Sequence, residues 1–116
     1  MSIRKLDKIS AINISFIKKF AGNSSSSLTI DWKESPYQEI ILTGNCTLTF
    51  TDGGQGRYQL KIKQDATGNR AITWPASVKW IEDTAPTLST DNTAEDIISF
   101  YFDGTNYYGI GSVGFE

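Results

Sequence analysis

No histidine occurs among the 116 residues, and there is one cysteine and three prolines. Without histidine the chain lacks the side chain that ordinarily titrates near neutrality, which is also the commonest metal ligand. That weighs against an acid–base or zinc enzyme. A lone cysteine, Cys46, excludes any intrachain disulfide, so the fold must rest on an apolar core. Cys46 falls among apolar neighbours and reads as a small buried hydrophobe. No run approaches the length of a membrane-spanning helix, and the N-terminus lacks the continuous apolar region of a secretory signal. The Asn-x-Ser/Thr sequences at Asn13, Asn23 and Asn45 therefore carry no weight. A net charge of −2 argues against nucleic acid as the partner of the whole domain.

What is present is small, polar and aromatic: ten glycines, three tryptophans, five tyrosines and six phenylalanines, with serine and threonine crowding the gaps between apolar runs. This mixture favours short strands and turns, and the length suits one domain. Charge is uneven. Residues 1–20 hold Arg4, Lys5, Lys8, Lys18 and Lys19 against Asp7 alone, while the rest of the chain is net acidic. Such asymmetry marks a docking arm.

Ile3, Leu6, Ile9, Ile12, Phe16, Ile17 and Phe20 recur at three- and four-residue spacing, with lysines on the other face. This predicts an amphipathic helix, although Ile12-Asn13-Ile14-Ser15-Phe16 also fits a strand. The expected arm spans 1–22, a serine-rich linker 23–27, and a β-body 28–116. In the body, Leu28, Ile30 and Trp32 alternate with polar residues, then Glu39 to Thr43 resumes the run beyond Ser35-Pro36. Cys46, Leu48 and Phe50 alternate with threonines. Tyr58, Leu60 and Ile62 alternate with Arg57, Gln59, Lys61 and Lys63. Val78 and Trp80 form a short strand, and Thr84 to Asn92 a polar loop. Ile98, Phe100 and Phe102 lead into Asp103-Gly104, a tight-turn sequence, and Tyr107, Tyr108 and Ile110 return as the second arm of a hairpin. About eight strands so spaced predict an all-β fold, an antiparallel sandwich of jelly-roll type behind a short N-terminal helix.

No stretch carries a catalytic signature. Gly53-Gly54-Gln55-Gly56 precedes a strand rather than the helix a phosphate loop requires, and so reads as a turn. Asp91, Glu95 and Asp96 cluster without a recognised Ca²⁺ spacing, and no two carboxylates stand out as a glycosidase pair. No metal, cofactor or catalytic residue is assigned. Trp32, Trp74, Trp80, Tyr101, Tyr107 and Tyr108 either fill the core or an intersubunit seam, or stack on sugars. Tyr107 and Tyr108 must point to opposite faces of their strand, so one of them faces away from the core. Trp80, Tyr101 and Tyr107 are the candidates for an oligomer or glycan surface.

Several motifs occur in a telling order. They are Tyr58-x-Leu60-x-Ile62-x-Gln64-Asp65, Gly68-x-Arg70, Trp74-Pro75-x-x-Val78-x-Trp80, Ala85-Pro86-Thr87-Leu88, and Asp96 through Gly109. From Leu28 to Gly111 the chain resembles a β-domain of tailed-bacteriophage virion proteins, of head-fibre, capsid-decoration, tail-fibre or baseplate type. It departs at Ile81-Glu82-Asp83, where that family often has glycines. The resemblance implies a non-enzymatic structural protein of the virion, commonly trimeric. The N-terminal arm lies outside the resemblance; its basic, amphipathic character predicts that it anchors the chain to another capsid or tail protein, while the aromatics are expected to meet a neighbouring copy or a host-surface glycan.

Overall fold

A computed structural model describes residues 19–24 and 26–115. The described strands are β1 (Lys19–Ser24), β2 (Ser27–Asp31), β3 (Tyr37–Leu42), β4 (Cys46–Thr51), β5 (Gly56–Gln64), β6 (Ile72–Thr73), β7 (Val78–Trp80), β8 (Glu95–Phe102) and β9 (Tyr107–Phe115), with a 3-10 turn at Ile81–Asp83. They form a six-stranded sheet, β1-β3-β5-β8-β9-β7, and a three-stranded sheet, β2-β4-β6. The described residues contain no α-helix. The expected arm residues Ile3, Arg4, Leu6, Ile9, Ile12, Phe16 and Ile17 lie outside the described residues, and so does the helix expected of them.

The expected all-β class holds, but the expected strand direction does not. Among the described strands only β5–β8 and β8–β9 pair antiparallel. The pairs β1–β3, β2–β4, β3–β5, β4–β6 and β7–β9 are parallel. Alternation reports which side chains face inward, and its period is the same in either direction. Direction is decided by the connectors. After each of β1 to β5 the chain crosses into the other sheet instead of folding back beside itself, so each strand meets its sheet-mate one circuit later. Three circuits stack, β1–β2, β3–β4 and β5–β6, which is the winding of a β-solenoid. The β8–β9 hairpin then adds to the larger sheet.

A second correction concerns residues 19–27. Phe20, expected to end a helix, is in β1 opposite Glu39, and the stretch expected as a linker contains the end of β1 and the start of β2. Main-chain pairing explains this: Asn23 and Ser24 lie opposite Ile41 and Leu42, and ladder hydrogen bonds need no apolar side chain.

The inner faces of both sheets share one core. Ile40, Leu42, Leu60, Ile62 and Ile98 from the larger sheet pack with Ile30, Cys46 and Leu48 from the smaller one. Each such aliphatic side chain contributes roughly 1.5–3 kcal/mol through burial. Cys46 is a buried free thiol, as expected. Phe100 is the hub of an aromatic cluster. Its ring centroid lies 5.4 Å from Phe50, 5.9 Å from Trp74, and 6.1 Å from each of Trp32, Trp80 and Tyr107. Edge-to-face and tilted contacts of this kind add about 0.5–1.5 kcal/mol per pair beyond burial.

Buried polar side chains tie the loops to this core. The Gln64 amide donates to the carbonyls of Arg70 and Ser89 and accepts from Arg70 N–H. Asp96 accepts from Ser89 N–H, Ser89 hydroxyl and Gly114 N–H at 2.8–2.9 Å, joining the loop before β8 to the end of β9. At the hairpin turn, Asp103 Oδ1 accepts from the N–H groups of Thr105 and Asn106, both at 2.8 Å, while Gly104 takes a φ of 102°. In the 3-10 turn, Glu82 and Asp83 adopt φ of 55° and 57°. These are left-handed conformations that glycine adopts without steric cost, at the place where the chain departs from the glycines of the family it resembles.

Candidate binding face

With the core filled from one side, the outer face of the larger sheet presents every second residue to solvent. Strand register sorts these residues into rows. One row crosses β5, β8, β9 and β7 as Arg57, Tyr101, Tyr108 and Lys79. The next crosses β3, β5, β8 and β9 as Tyr37, Gln59, Ser99 and Ile110. A third runs Glu39, Lys61, Ile97 and Ser112. Tyr37, Tyr101, Tyr108 and Ile110 are 42%, 50%, 43% and 61% exposed, so large apolar area stays at the surface around Arg57.

The Tyr101 and Tyr108 rings stack with centroids 6.3 Å apart and planes 29° from parallel. The Tyr108 hydroxyl donates to Asp103 Oδ2 at 3.2 Å. That bond holds the Tyr108 pKa above the ordinary phenol range, because the neighbouring carboxylate opposes a second negative charge. The same carboxylate is held below its usual range, first by the N–H of Asn106 and then by that of Thr105. The turn therefore fixes Asp103, and Asp103 fixes one of the two stacked rings.

Charge on the face is partly neutralised. Lys61 Nζ lies 3.7 Å from Glu39 and 3.5 Å from Glu95. Arg57 and Lys79 have no carboxylate partner among the described residues. Arg57 lines three depressions. The largest, about 480 Å³, lies where the 32–37 and 54–58 segments meet and includes Trp32, Lys33 and Tyr37. The second, about 250 Å³, lies between Tyr37 and Ser99, and the third, about 300 Å³, between Arg57 and the tyrosine pair.

The sequence candidates fare differently. Tyr101 is on the exposed face. Trp80 is half-buried, 5.3 Å from Trp74 and backed by Phe100. Tyr107 is not a surface residue of this chain: it is fully buried, stacked 4.3 Å from Phe102, with its hydroxyl donating to Asp52 at 2.7 Å. Burial, then the Asp52 hydrogen bond, drives its pKa far above that of a free phenol. Tyr108 is the ring that faces out, as the alternation of the two tyrosines requires. Arg57 and Tyr37 were not singled out from sequence, and Tyr108 was named among the aromatics while Tyr107 was preferred as the surface candidate. The outward phase of Arg57 and Tyr37 was legible, but the adjacency of these side chains required the register.

Among the described residues no three His, Cys, Asp or Glu side chains gather as metal ligands would, and no helix is long and apolar enough to cross a membrane. Comparison with known proteins found no match among curated proteins or solved structures. Residues 24–107 match the model of the family described as "Putative phage tail fibre C-terminal domain", spanning β2 to β8 and the turn into β9. The chain belongs to that family, and is a domain of a bacteriophage virion protein of the tail-fibre kind.

Proposed function

We propose that this chain is a non-enzymatic structural component of a phage tail fibre, trimeric in the assembled fibre. Its N-terminal arm holds it to a neighbouring virion protein, and its two-sheet body is displayed outward. Family membership carries this reading. The topology supports the polarity. β1 and β2 are both edge strands, and they are the described strands nearest the arm. An edge strand offers unpaired main-chain groups to a partner, so the arm enters the body where a neighbouring chain can join it.

The arm reading predicts that Ile3, Leu6, Ile9, Ile12, Phe16 and Ile17 face the partner, with the basic residues around them. Because β1 begins at Lys19, the test is deletion of residues 2–18, which removes none of the described strands. The truncated protein should keep a β-type circular dichroism spectrum and be lost from purified particles. Normal incorporation would refute anchoring by the arm. Light scattering on fibres released from particles should give a mass near three times 12.8 kDa for this component, and a single-chain mass would refute the trimer.

A second role, contact with a host-surface glycan, is favoured by one observation. The exposed, stacked Tyr101 and Tyr108 stand beside a guanidinium without a carboxylate partner among the described residues. Aromatic faces of this kind are apolar surfaces with a polar rim, suited to sugar rings.

A further inference from the structure

We propose that the outer face of the larger sheet binds a saccharide chain bearing carboxylate or phosphate groups, with Arg57 as the anion anchor. The proposal deepens the glycan reading above and rests on it. Arg57 stands where the three depressions meet, and its neighbours on either side are tyrosines: Tyr101 across the β5–β8 ladder, and Tyr37 along the wall of two of the depressions. A guanidinium presents a planar fork of donors that matches a carboxylate or phosphate bidentately, while flanking rings accept the apolar faces of sugar units.

The row continues in the same sense. Lys79 ends it beyond Tyr108, so two cations bracket two stacked rings across four strands, a span of about 14 Å at the usual strand spacing. The carboxylate beside this row, Asp103, is occupied by Thr105, Asn106 and the Tyr108 hydroxyl. Glu39 and Glu95, on the same outer face, lie against Lys61, four residues along β5 from Arg57. Among the described residues the positive charge of Arg57 and Lys79 is thus left for an external anion, although the whole chain is acidic. A second copy of the same face is a poorer occupant, because burying Arg57 and Lys79 against an identical surface leaves charges desolvated without counter-ions.

Isothermal titration of the full-length protein separates the possibilities with three probes: a galacturonic acid hexamer, a phosphorylated mannose oligomer, and the neutral maltohexaose. At least one acidic probe should bind, and raising NaCl from about 50 to about 500 mM should weaken it while barely affecting any neutral binding. Which acidic probe binds distinguishes carboxylate from phosphate. Arg57→Gln should lower the affinity about 10-fold or more, Arg57→Lys less, and Tyr101→Ala should also weaken it. Arg57 is exposed, so the variants should keep the parent melting temperature. Equal binding of neutral and acidic probes, or an Arg57→Gln affinity unchanged for the acidic probe, overturns the anion anchor and leaves the glycan reading standing. No binding of any probe overturns both. A concentration-dependent dimer abolished by Arg57→Gln would overturn the proposal in favour of self-association.

Discussion

Replacing Gly109 by alanine tests the packing of the sheet edge through a change of sign. Gly109 is in β9 between Phe100 on β8 and Trp80 on β7. A methyl group placed there would come within 2.8 Å of Trp80 Cε3 and Cη2 and closer still to Cζ3. Real Cβ atoms do not approach that closely, so the indole must move. It cannot move freely, because its ring packs 5.3 Å from Trp74 and 6.1 Å from Phe100. Gly109 lies outside the positive-φ residues, so the penalty is steric and not conformational. Overpacking of this kind costs about 1–3 kcal/mol. For a domain of this size, about 2 kcal/mol lowers the melting temperature by roughly 8–16 °C. In a Trp80→Ala background the obstruction is gone. There alanine should be better than glycine by about 0.5–1 kcal/mol, since a strand glycine carries excess unfolded-state entropy. Urea denaturation of the four proteins of this cycle, with the m-value checked for constancy, gives both numbers. An equal loss in the two backgrounds would refute the packing argument.

Three further outcomes are expected. Glu82→Gly should raise stability by about 0.5 kcal/mol, because removing a left-handed strain of about 1–2 kcal/mol outweighs the added freedom of the unfolded chain; a loss in thermal melts would contradict that balance. Asp96→Ala should cost about 3 kcal/mol or more and raise amide exchange at Ser89 and Gly114, since their N–H groups lose their acceptor; unchanged exchange would show that the latch does not hold β9. Stability should fall at both ends of the pH scale. Asp65, held low first by its Arg70 hydrogen bond, and Asp103 have depressed pKa values, so their contribution is present above the unfolded carboxylate range and is lost as pH falls through their folded values. Tyr58 and Tyr107 have raised pKa values, chiefly from burial, so stability is full below about pH 10 and declines as pH rises beyond it. Denaturation followed from pH 2 to 12 should show both limbs, with Asp103→Asn flattening the acid one and Tyr107→Phe the alkaline one.

Much was legible before any tertiary structure. Period-two alternation reports its own facing, so Tyr58, Leu60 and Ile62 on β5 and Ile98, Phe100 and Phe102 on β8 could be placed inward, and the Asp103-Gly104 turn could be placed between β8 and β9. The same rule required that only one of Tyr107 and Tyr108 face the core. It was silent on which, because either phase of β9 offers the core an aromatic ring. Tertiary structure decided it: Tyr107 pairs with inward Phe102 and reaches Asp52, fifty-five residues earlier in the chain.

Two features lay beyond sequence pattern for a common reason. Strand direction depends on where each connector delivers the chain, and a turn of serine, glycine and asparagine serves a hairpin or a crossing between sheets equally well. The binding face depends on register between strands distant in sequence, which brings Arg57 beside Tyr101 and Tyr108 beside Lys79. Local chemistry by itself determined which residues share a strand face and where the chain turns, since both are settled within a few residues. Only the tertiary structure decided the parallel winding and the row of aromatic and basic side chains, because those are properties of strands meeting, and meeting is a long-range event.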